Sequence, residues 1–104
     1  MKIRKENETL FLIPETDLIA SSIEELRDYF AQQLGKHSDS SHVVLDVRGI
    51  DFVDSLGVNL IVGLYRQVTD KSKTIEIIGA SKNFMKVASF FRLTSIISVK
   101  GIEI

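Results

Sequence analysis

The chain contains no cysteine, no tryptophan and one proline. Lacking cysteine, it has neither disulfides nor thiolate metal ligands, so packing must hold the fold, as suits a reducing compartment. Its net charge of -1 gives no field of one sign to draw in nucleic acid, acidic lipid or a strongly charged substrate. No apolar run approaches the roughly 20 residues that cross a bilayer. The basic start, with Lys2, Arg4 and Lys5, is not followed by the apolar core and cleavage site of a secretion signal. A cytoplasmic protein that binds neither nucleic acid nor membrane is the expectation. Both histidines, His37 and His42, flank one polar loop and have no triad context. No glycine-rich phosphate-binding fingerprint occurs, so no cofactor is expected. A basic cluster of Lys71, Lys73, Lys82, Lys86 and Arg92 lacks interleaved aromatics and reads as a solvated face.

What is present suits one domain over residues 1–104, since 44% hydrophobic residues can supply a core at this length. Residues 2–6 and Thr9–Ile13 read as a strand pair around the turn Glu6-Asn7-Glu8, closed by Pro14. Asp17 falls in the polar connection that follows and reads as a turn residue. Ile19, Ile23, Leu26, Phe30 and Leu34 recur at helical spacing. Ser22 with Glu25 has capping-box spacing and Gly35 is a stop, predicting a helix over 22–34. Residues 35–41 form a loop.

The chain is organised around Ser41–Val68. An apolar strand (42–47) leads through Gly49 into a helix (55–69) with Leu60, Ile61, Leu64, Tyr65 and Val68 on its buried face. The next strand spans Thr74–Ile78. This alternation predicts parallel crossovers, whose ligands approach the carboxyl ends of the strands. In the 48–55 connection, Phe52 and Val53 are expected to tuck inward. Gly57 is expected to keep the surface around Ser55 open or to be a structural glycine, and Gly63 to permit close helix–sheet contact or simply to be tolerated. Ser81 caps a short helix with Phe84, Val87, Phe90 and Phe91 near its inner side, followed by a strand over Ile96–Val99 and an unclassified tail, Gly101–Ile104.

Ser55 is the residue of interest. A helix start offers unpartnered amides that a serine hydroxyl can cap. The same amides can receive phosphoryl oxygens if the hydroxyl reaches solvent. A phosphoryl group adds about 1.5 to 2 negative charges beside Asp54 and Asp51, enough to repel a closely packed partner. Capping and switching both remain open on residue chemistry alone. Asp46, Asp51 and Asp54 form the densest carboxylate group, with magnesium binding as the less favoured reading.

With Leu45-Asp46-Val47-Arg48-Gly49-Ile50 followed by Asp51-Phe52-Val53-Asp54-Ser55-Leu56-Gly57, the chain resembles the STAS family, especially the bacterial anti-sigma factor antagonists. Ile77-Ile78-Gly79 and Phe91-Arg92-Leu93-Thr94 extend the resemblance over most of the chain. It implies an α/β fold with a mixed, mostly parallel sheet of four to five strands and about four helices. It also implies a non-enzymatic binding module that engages an anti-sigma factor serine kinase when Ser55 is unphosphorylated and releases it when phosphorylated. A PP2C-like phosphatase would reset the switch. Leu56 replaces the second hydroxyl many antagonists carry, leaving Ser55 as the only candidate acceptor. The partner surface expected on this basis comprises Asp51, Asp54, Ser55, Leu56, Gly57 and Asn59. The alternative is a constitutive, unphosphorylated STAS scaffold using the same surface.

Overall fold

The computed structural model describes residues 1–102. Its sheet runs β1 (Lys2–Glu6), β2 (Thr9–Ile13), β3 (His42–Asp46), β4 (Thr74–Ala80) and β5 (Ser98–Gly101), adjacent in that order. β1 and β2 form the antiparallel hairpin, with Asn7 in the left-handed region at its turn. The other pairings are parallel. Three helices make the crossovers: α1 (Ile23–Lys36), α2 (Ser55–Asp70) and α3 (Lys82–Phe90). Two short 3-10 turns, at Ala20–Ser22 and Leu93–Ser95, complete the described elements. The expected mixed, mostly parallel sheet is present.

Register explains the core. Leu10 pairs with Val43, Leu12 with Leu45, and Leu45 with Ile77, so these apolar side chains share one sheet face. All five are fully buried and join Leu26, Phe30, Ile61, Leu64 and Phe84 from the helices. Parallel crossovers stepping always to the next strand are right-handed in nearly every protein, which puts their helices over the same face. In the alternate row Val44 is buried, whereas Phe11, Ile13, His42, Glu76 and Ile78 are only half-buried. There the Arg4 guanidinium lies 4.2 Å from the Phe11 ring centroid, and His42 sits 3.2 Å from Glu76.

Several boundaries differ from the sequence expectation. α1 continues through Gly35, where a Cβ would meet nothing, and ends at Lys36. Ser22 belongs to the preceding 3-10 turn, so its hydroxyl caps nothing and no capping box forms. β5 starts at Ser98, two residues late, because Ile96 and Ile97 bond back to the Leu93 carbonyl. Gly101 belongs to β5, whereas Glu103 and Ile104 lie outside the described residues. Ser81 caps α3 as expected, its Oγ accepting from Phe84 N at 3.0 Å. Phe84 is buried, but Phe90 is 78% exposed and Phe91 44% exposed, because the chain leaves the helix there for the left-handed Arg92. Gly79, at φ 74, lies where the β4–β5 register shifts, a backbone state that favours glycine.

Candidate functional site

The connection from β3 to α2 runs along the carboxyl ends of the central strands and is fixed by hydrogen bonds from elsewhere in the chain. Leu18 bridges Val53 in parallel: Leu18 N donates to Phe52 O at 3.0 Å and Asp54 N donates to Leu18 O at 3.1 Å. Asp17 Oδ1 accepts from Asp51 N at 3.1 Å and from Phe52 N at 3.3 Å. From the other side, Asn83 Nδ2 on α3 donates to Asp51 O at 2.8 Å. Strand-like alternation at this bridge turns Val53 inward and Phe52 outward, which corrects the expectation that both tuck in. Phe52 is 60% exposed.

Asp54 caps α2, and Ser55 is the first residue inside the helix. On residue chemistry alone Ser55 was a candidate for the cap. The aspartate prevails because its two oxygens serve two elements: Oδ1 accepts from Gly57 N and Oδ2 from Ala20 N, each at 3.0 Å. These bonds, Gly57 first, hold the Asp54 carboxyl below the usual range, with partial burial opposing them. The Ser55 hydroxyl is thereby free of capping and faces solvent. Leu56, next to it, is 46% exposed, and Asn59 and Asp51 are also exposed.

Gly57 faces inward instead of keeping the outer surface open. A Cβ there would run into the Leu18 carbonyl oxygen and lie 2.8 Å from Val53 Cγ2. Gly57, expected in the partner surface, is buried and packs against Leu18 and Val53. At Gly63 a Cβ would meet nothing, so close helix–sheet contact does not account for that glycine. It lies on the floor of a shallow groove of about 280 Å³ between α1 and α2, lined by Arg27, Leu56, Asn59 and Leu60 among others. The three clustered aspartates have separate tasks: Asp54 caps, Asp46 Oδ1 accepts from Arg48 N at 3.1 Å, and Asp51 faces solvent. Among the described residues no cluster of carboxylates and histidines is arranged to hold a metal ion. His37 follows the last residue of α1 and His42 begins β3, both remote in the chain from Ser55.

Sequence reading missed the part played by Asp17. Its signal was the polar Pro14-Glu15-Thr16-Asp17 turn, but the amides it receives lie 34 and 35 residues away and leave no local trace. The exposed Phe52 was missed for the same reason.

Structures sharing this architecture include TM1081 of Thermotoga maritima, proposed to be an anti-sigma factor antagonist. It is 14% identical, with a TM-score of 0.87 over 97% of this chain and 86% of that one. The anti-sigma factor antagonist SpoIIAA is 18% identical in its unphosphorylated form, with a TM-score of 0.76 over 94% and 85% of the two chains. The Bacillus protein in its phosphorylated form gives a TM-score of 0.68 over 94% and 88%. The murine anion transporter Slc26a9 matches at 15% identity and a TM-score of 0.80, over 95% of this chain but 17% of its own. Among curated protein sequences none matches. Among the described residues no helix is long and apolar enough to cross a membrane. A family model described as "Mlab, STAS domain" matches residues 1–98, and the chain therefore belongs to the STAS domain family.

Proposed function

We propose that residues 1–104 act as a single STAS module whose partner surface is centred on Ser55, and that phosphorylation of Ser55 controls it. The observation carrying this reading is a solvent-facing hydroxyl on the first residue of α2, with the exposed apolar residues Phe52 and Leu56 on either side of it in the sequence. An apolar pair of this kind suits a dry contact centre, with Asp51 and Asn59 on its polar margin. The partner class is an anti-sigma factor serine kinase, by analogy with SpoIIAA, which is an anti-sigma factor antagonist known in both phosphorylation states. A PP2C-like phosphatase is the matching reset enzyme.

The chemistry of release follows from Asp54. Its carboxylate already takes the Gly57 amide, so a phosphoryl group on Ser55 does not gain that donor. It arrives beside a fixed negative charge and near exposed Asp51 instead. Adding about 1.5 to 2 negative charges there raises the cost of burying the surface without any change of fold.

The test is incubation with a candidate anti-sigma factor kinase and ATP, followed by mass-spectrometric mapping. The reading expects phosphate on Ser55 and loss of kinase binding. A kinase active on another substrate that binds this protein yet leaves Ser55 unlabelled would favour the constitutive scaffold, whose supporting observation is the exposed Phe52–Leu56 pair itself.

A further inference from the structure

We infer that the free edge of β5, with the hollows on either side of it, docks an extended acidic segment of a partner protein. Among the described residues β5 ends the sheet, so the outer amides and carbonyls of Ser98–Gly101 face no strand. An unpaired edge is a template for one more strand, and main-chain hydrogen bonds then supply affinity while flanking pockets select side chains.

Both faces of this edge offer such pockets. On the helix face, a hollow of about 590 Å³ lies between α3 and the end of β5, floored by Ala80, Met85 and Ile102 and flanked by Lys82 and Lys86. On the opposite face, a hollow of about 270 Å³ is lined by Arg48, Ile78 and Lys100. Successive side chains of an added strand point to opposite faces. One set would therefore enter the apolar trough, and the other would face Arg48 and Lys100. Alternating apolar and acidic residues match that arrangement.

The charge pattern selects the occupant. From Ile77 to Ile102 the sequence has Lys82, Lys86, Arg92 and Lys100 and no acidic residue. Ile102, on the floor of the larger hollow, is 49% exposed, so Lys82 and Lys86 border an apolar surface there. A second copy of this chain is a poor occupant, because its own free edge, β1, carries Lys2, Arg4 and Lys5 against Glu6. A concave trough beside a strand edge also suits a chain better than a flat lipid surface.

The probe is a synthetic eight-residue peptide alternating valine and glutamate. Its controls are a valine–lysine peptide, a valine–glutamate peptide with proline at its centre, and phosphatidylglycerol vesicles. The expected result is binding with a Kd below about 1 mM. Amide shifts and slowed exchange should be confined to Ser98–Gly101 and the Met85 trough. Arg48→Glu with Lys100→Glu should weaken binding about tenfold with the melting temperature retained, whereas Ser55→Asp leaves it unchanged. Equal binding of the lysine or proline peptide, binding of vesicles alone, or no peptide binding at 1 mM would each overturn the inference. None of these outcomes bears on Ser55, so the two proposals fail separately.

Discussion

Ser55 and Asp54 are neighbours with opposite tasks. Asp54 joins the start of α2 to the turn before α1, whereas Ser55 faces solvent. Asp54→Ala should cost about 1–2 kcal/mol in denaturant unfolding, and Asp54→Asn should restore most of it, since asparagine caps comparably. Ser55→Ala should stay within about 0.5 kcal/mol of the parent, because the hydroxyl does not cap. The lowered Asp54 carboxyl also predicts a pH dependence. The unfolded chain holds this proton more readily, so the stabilisation is complete above about pH 4 and is lost as pH falls through the folded value. Acid unfolding curves of the parent and Asp54→Asn should therefore converge at low pH; parallel curves would contradict this. Both Asp and Ser are good caps, so the sequence could not rank them. What separates them is the Ala20 amide, 34 residues from Asp54.

At the scale of elements, the two glycines of α2 behave oppositely. Gly57→Ala should destabilise by about 1–3 kcal/mol, because Leu18 is in the way on the backbone side. Gly63→Ala should stabilise by up to about 1 kcal/mol through helix propensity, since its Cβ meets open space. Thermal denaturation of the two variants checks both signs. This contrast was not legible beforehand: both glycines lie in one helical pattern, and only the Leu18–Val53 bridge distinguishes them. Periodicity did reveal α1, α2 and the strands on either side of α2, because Leu26, Phe30, Ile61 and Leu64 fall on faces that the sheet covers. Periodicity failed at Phe52, Phe90 and Phe91, each at or beyond the end of a regular element, where alternation or a left-handed residue sets direction.

The molecule as a whole is nearly neutral only on average. Every acidic residue except Glu103 precedes Ile77, while the end of the sheet holding α3 and β5 is basic and apolar. The Ser55 surface and the β5 edge should consequently respond differently to salt. Raising salt from about 0.05 to 0.5 M should weaken acidic peptides at β5 while leaving the unphosphorylated Phe52–Leu56 contact nearly unchanged. Titrations of both ligands across that range measure the difference. The most direct measurement of the central claim compares protein bearing phosphoserine at residue 55 with unmodified protein for affinity to an anti-sigma factor serine kinase that binds the latter. The phosphorylated protein should bind at least about 30-fold more weakly, corresponding to about 2 kcal/mol, with an unchanged circular dichroism spectrum. Equal affinity of the two forms would contradict it.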